Sequence, residues 1–159
     1  MSGRALRVLG IALTAAVLAA PPAFADNSRL NNSVAANVYT VRYQAGCRPP
    51  DIKSDPALRL AAQWHADDVL NNRALDGDLG SDGSTPQSRA TAAGYTGTAS
   101  QTVAINPALA INNLDVITQW FNNPRAHAIM ADCANTAIGV WSVNSLDRSV
   151  VVAVYGRPG

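Results

Sequence analysis

The chain has 159 residues, and its twelve lysines and arginines face eleven acidic residues for a net charge of +1 at pH 7. No basic run exists to follow phosphates, so nucleic acid is not an expected partner. All the acids are aspartate, which removes glutamate from any proton transfer or metal site the chain could build.

At the N-terminus, Arg4 and Arg7 precede an apolar stretch from Val8 to Ala20, and Pro21, Pro22, Ala23, Phe24 and Ala25 end it with a small-x-small pattern. This reads as a signal peptide over residues 1–25, cut after Ala25. The stretch is short for a bilayer span, two prolines interrupt it, and no later segment approaches about 18 uninterrupted apolar residues. The expected mature protein begins at Asp26, has 134 residues, and carries ten basic groups against eleven aspartates. That length suits a single domain with a real core and no transmembrane segment.

Leu30, Val34, Val38 and Val41 recur at helical spacing and predict a helix over Asn27 to Gln44. Gly46 to Pro50 breaks it. Asp55-Pro56 is an N-cap followed by proline at the first helical position, and Leu58, Ala61, Ala62, His65 and Val69 line one side of the helix that follows. His65 on that apolar side is read as a hydrogen-bonded core residue. Asp76 to Pro86 is a turn-rich loop with three glycines. Its aspartates lack the alternation and terminal glutamate of a calcium loop, which makes it a solvated turn. Thr85-Pro86 opens a short helix, Thr102 to Ile105 is a candidate strand, Leu114, Ile117, Trp120 and Phe121 mark another helix, and Asn123-Pro124 caps one more. Two β-branched runs, Ala137 to Val143 and Ser149 to Tyr155, flank a turn at Asn144 to Asp147 and predict an antiparallel hairpin. Helices first and strands last give an α+β domain. Trp64, Trp120 and Trp141 are expected in the core or lining a cleft. Cys47 and Cys133, the only cysteines of an exported chain, are expected to form one disulfide.

The helix around Ala61-Ala62-Gln63-Trp64-His65-Ala66-Asp67-Asp68, the Ser81-Asp82-Gly83-Ser84-Thr85-Pro86 loop, Arg89 with Gly94-Tyr95, Trp120 with Pro124, Ile138-Gly139-Val140 and Tyr155-Gly156 together resemble the CAP superfamily of cysteine-rich secretory, antigen 5 and pathogenesis-related 1 proteins. Their order and spacing are similar to those of short bacterial exported members across nearly the whole of residues 26–159. The resemblance implies an α-β-α sandwich with a three- or four-stranded antiparallel sheet between helical layers.

It also implies a cleft built on two histidines and two glutamates, able to hold a divalent metal in some members. Position by position, that tetrad is degenerate here. The histidine before the Asp-Gly-Ser-Thr-Pro loop falls on Asp78, and the glutamate of the Gly-Glu-Asn piece falls on Gln101. The second glutamate has no counterpart. The later histidine falls on Ala126 counted from Trp120, or on His127 with a one-residue shift. Gln101 exchanges hydrogen bonds but no proton at neutral pH, so no catalytic residue, metal or cofactor is expected. The leading reading is a secreted, non-catalytic domain, free or held in the cell envelope, that binds an apolar lipid- or sterol-like ligand or a partner protein through the family cleft. A hydrolase of peptide or envelope material would need Asp78 and His127 in one pocket. A purely structural secreted domain is the third class.

Overall fold

The computed structural model describes residues 27–159; the signal peptide expected at 1–25 and the expected first residue Asp26 lie outside the described residues. The order is α1 (Ser28–Gln44), β1 (Lys53–Ser54), α2 (Pro56–Asn71), α3 (Pro86–Ala92), β2 (Thr98–Asn106), α4 (Asn113–Phe121), α5 (Pro124–Ala131), β3 (Ala137–Ser145) and β4 (Arg148–Arg157). Each cap-plus-proline signal starts a helix where its chemistry says it should. Asp55 accepts from the Ala57 and Leu58 amides, Thr85 from Ser88 in a reciprocal capping box, and Asn123 from Ala126. None of the helices among the described residues is long and apolar enough to cross a membrane.

The sheet runs β1-β3-β4-β2. Its three long strands are antiparallel, as expected, but β1 pairs parallel with Ala137 and Ile138, so the four-stranded sheet is mixed. The hairpin turn is tighter than the sequence suggests: Ser145 pairs with Arg148 around Leu146-Asp147. Strand β2 is longer than expected because its polar start, Thr98 to Gln101, pairs with Arg157 to Val154.

Strand β4 lies at the centre and is buried on both faces. Val151, Ala153 and Tyr155 pack with Val34, Val38 and Val41 of α1, Trp120 of α4 and Met130 of α5. Val150, Val152 and Val154 point the other way, onto Leu58, Ala61, Ala62, Ala66 and Val69 of α2 and Ala90 of α3. Two helical layers thus enclose one sheet, which accounts for the unbroken apolar run in β4. The face expected for α4 is rotated. Val116 and Trp120 are buried, while Leu114 and Phe121 face solvent, because the apolar arc of this nine-residue helix is wider than the stripe it buries, and tertiary packing decides which part of it turns inward. Trp64 is likewise exposed rather than in the core.

Helix α2 approaches the sheet most closely at Gly139, where a Cβ would run into the Leu58–Arg59 backbone. Backbone cannot yield as a flexible side chain can, so Gly139→Ala is expected to destabilise the domain by about 1–3 kcal/mol or more. A urea midpoint unchanged from wild type would contradict this packing.

Candidate functional site

The cleft positions lie beside β2, at one edge of the sheet. Gln101 is fully buried on β2 and pairs across the ladder with Val154, on the face covered by α2 and α3. Asp78 belongs to the loop that follows α2, and its carboxylate accepts from Gln101 Nε2 at 3.2 Å. Its other oxygen forms a short ion pair with Arg125 of α5.

Arg89 of α3 ties these groups together. Its Nη2 donates to the Asp78 carbonyl at 2.7 Å and to Gln101 Oε1 at 3.0 Å, and its Nη1 donates to the carbonyl and hydroxyl of Ser84, both at 2.9 Å. Burial lowers the Arg89 pKa, opposed by Asp78, Asp82 and Asp68; an arginine remains charged regardless. The loop has a second anchor at Asp68 of α2, which accepts from the Ser81 amide and hydroxyl and from Asn72. Burial alone would raise the Asp68 carboxyl, but these donors hold it below its ordinary value. Gly83, at φ +78°, supplies the left-handed residue that closes the turn.

The structure brings Asp78 and Gln101 together and leaves both alternatives for the later histidine out of their cluster. Ala126 is buried in the core against α1 and α4. His127 stacks on Phe121 with ring centroids 4.2 Å apart. The residue of α5 that reaches Asp78 is Arg125, and positions two apart on a helix project in nearly opposite directions. Sequence reasoning missed Arg125 by following the histidine. The available signal was electrostatic: an aspartate in place of a histidine calls for a cation nearby.

The donor set does not fit the family's metal. Gln101 is neutral, the one carboxylate of the cluster is shared between Arg125 and Gln101, and no group of three histidine, cysteine or acidic residues converges among the described residues.

His65 is fully buried on α2. Its Nε2–H donates to the Gly77 carbonyl at 2.7 Å, while Nδ1 has no partner among the described residues. Burial lowers its pKa, only partly offset by the Gly77 hydrogen bond, and the neutral ring is the form that fits. The unfolded chain therefore takes up this proton first as pH falls. Stability from His65 is fully present above the unfolded value of about 6.5 and is lost as pH drops toward the lower folded value. The expected result is a fall in stability below about pH 6.5 that is shallower in His65→Gln, read from urea midpoints across pH. Parallel pH profiles would contradict it.

A second concavity lies at the opposite edge of the sheet. A groove of about 1040 Å³ runs between α1 and α2, with β3 as its floor from Ile138 to Asn144 and Trp141 among its lining. A smaller recess of about 440 Å³ borders Arg125 between β2 and α5.

Among curated proteins, none matches the chain. Solved structures match over most of it. An outer surface protein from Borrelia burgdorferi is 16% identical with a TM-score of 0.74, over 86% of this chain and 98% of that one. An extracellular protein containing an SCP domain from Bacillus anthracis str. Ames is 14% identical with a TM-score of 0.62, over 87% of this chain and 45% of that one. A cysteine-rich secretory protein from Staphylococcus aureus is 12% identical with a TM-score of 0.51, over 78% of this chain and 38% of that one. These neighbours share the fold, and two are named as extracellular or outer-surface proteins, a setting in which the Cys47–Cys133 disulfide is at home. Residues 35–155 match the cysteine-rich secretory protein family model, and the chain belongs to that family, CAP.

Proposed function

We propose that this protein is an exported, non-catalytic binding domain that holds an apolar ligand or a partner protein and turns over no substrate. The observation that carries the reading is the closed hydrogen-bond cluster at the tetrad positions. Asp78 and Gln101 are tied to each other, to Arg89 and to Arg125, with the buried Arg89 Nε the one group of the cluster left without an acceptor among the described residues, and a general acid–base site needs a titratable group free to meet a substrate. His127, the other titratable candidate, is engaged with Phe121. A groove with mixed apolar and polar lining, in the size range of ligand sites, supports binding as the alternative use of the fold.

The test has two arms. Native mass spectrometry with lipid extraction, on protein purified from its own host, is expected to find a stoichiometric lipid or peptide. A panel of peptides, esters and envelope fragments, assayed with wild type and with Asp78→Ala/His127→Ala, is expected to show no turnover that the double variant removes. Such turnover would establish a hydrolase instead.

A further inference from the structure

The two edges of the sheet are finished differently. Along β2, glutamine amides stand in for a missing strand: Gln87 accepts from the Ala99 amide and donates to the Gly97 carbonyl just before the strand, and Gln119 does the same for both main-chain groups of Ile105. Along β3, the short strand β1 covers only Ala137 and Ile138. The Asp55 amide makes the last bond of that pairing, to the Ile138 carbonyl, and Pro56 then turns the chain into α2.

Beyond that point the outer edge of β3 is open. Main-chain groups alternate between the two sides of a strand, so Val140, Ser142 and Asn144 present theirs on the same side as Ile138. The Ser142 carbonyl accepts from Asn27 Nδ2. Among the described residues, no strand or side chain meets the Val140 N–H and carbonyl, the Ser142 N–H or the main chain of Asn144. A bare edge invites pairing with another chain, and proteins usually blunt it. Here it is the floor of the large groove, recessed between two helices that keep a second flat sheet away.

The walls differ in chemistry. On the α1 side stand Asn31 and Asn32; on the α2 side stand Trp141, Leu70 and Asp67. Arg59 lies over the Trp141 ring, and the buried indole N–H has no acceptor among the described residues. Among the described residues, none donates to the Asp67 carboxylate, whereas Asp68 beside it accepts from Ser81. Asp67 is exposed on the groove wall, where a basic group can reach it, and partial desolvation raises its pKa above the ordinary carboxyl value.

We propose that this groove is a strand-addition site for an extended segment of a partner protein, about five residues long, which pairs with Val140–Asn144 and presents a basic side chain to Asp67. The proposal rests on the reading of the protein as a binding domain and names the partner's chemistry. Side chains of an added strand alternate between the walls, so polar residues face the asparagines of α1 while apolar and basic residues face Trp141, Leu70 and Asp67. Backbone pairing supplies affinity, and Asp67 supplies selectivity.

The test uses the exported protein and a fluorescein-labelled, end-blocked heptapeptide of sequence Thr-Val-Thr-Lys-Thr-Val-Thr. Fluorescence polarisation is expected to show saturable binding. Asn32→Trp, a change at an exposed position on the rim, is expected to weaken it by at least about tenfold by filling the groove. Asp67→Asn is expected to weaken it about fivefold and to leave a control peptide with threonine in place of lysine unaffected. Methylating alternate peptide amides should abolish binding in one of the two possible registers, and the Val140 and Ser142 amides should gain protection from hydrogen exchange. Absence of saturation below millimolar peptide, or binding indifferent to both methylation registers, would overturn the proposal. So would a dimer that protects Val140 and Ser142 without peptide, which would make the occupant a second copy. Protection of the groove by oleate but not by peptide would sink strand addition and leave the binding function standing, whereas turnover in the substrate panel would remove the binding function itself.

Discussion

Changing both Cys47 and Cys133 to alanine is expected to cost about 4 kcal/mol of stability. The bridge spans 86 residues of sequence and fastens the end of α1 to the end of α5. In the chain-entropy model a loop of that size restricts the unfolded ensemble strongly, and its release favours unfolding even if every native contact survives. Most of those contacts should survive. Arg42, itself buried beside the bridge, donates to the carbonyls of Pro50 and Asp132 and so holds the same two segments without help from sulfur. The double variant should therefore fold to the same structure with a lower melting temperature, by about 10–20 °C for a domain of this size. Thermal and urea unfolding of oxidised wild type, reduced wild type and the double variant check this. If the last two unfold within about 1 kcal/mol of the first, the bridge does not contribute in the way its loop length implies.

Local chemistry was legible in the sequence, and long-range closure was not. The helix starts at Asp55-Pro56, Thr85-Pro86 and Asn123-Pro124 could be read because a cap and a following proline act within about four residues. The run from Ser149 to Tyr155 could be read as a strand because β-branched residues favour that state whatever lies beside it. Strand β1 could not, since two residues carry no period and its pairing depends on carbonyls from Thr136 and Ile138. The same division holds at the site. Asp78 and Gln101 emerge from position-by-position resemblance, and the structure does place them in contact. Arg125 does not emerge, because an arginine on an exposed helix reads as solvated until the fold sets it against Asp78, 47 residues away in the chain. The groove along β3 was invisible for a related reason. It is defined by what does not pair with Val140 and Asn144, and only the completed sheet shows which edge is left bare.

Replacing Arg89 with methionine is expected to destabilise the domain by about 3–5 kcal/mol, the range seen when one partner is removed from a buried charged network. The methionine stem can fill much of the same space, so the loss is electrostatic. Three acceptors lose their only donor at once, the Asp78 carbonyl, the Ser84 hydroxyl and the side-chain oxygen of the fully buried Gln101, while the Ser84 carbonyl keeps only the Gly80 amide. Arg89→Lys should recover only part of the stability, because one ammonium cannot reproduce a planar fork that reaches Ser84 with one nitrogen and Asp78 and Gln101 with the other. Hydrogen exchange locates the damage. The amides of Gly80 and Gly83 are bonded within the loop that Arg89 clamps, and they should lose protection by more than the global change. Adding Gln101→Met to Arg89→Met should cost less than the two single changes combined, by roughly 0.5–3 kcal/mol, since the methionine at 101 removes one of the stranded acceptors. Additive costs would mean that the two side chains are not energetically coupled. A loss below about 1 kcal/mol for Arg89→Met would mean that the loop holds without its clamp. A cost of the expected size would identify the cluster around Asp78 and Gln101, onto which the family tetrad falls by resemblance, as a structural fastening that leaves the groove at the far edge of the sheet free to bind.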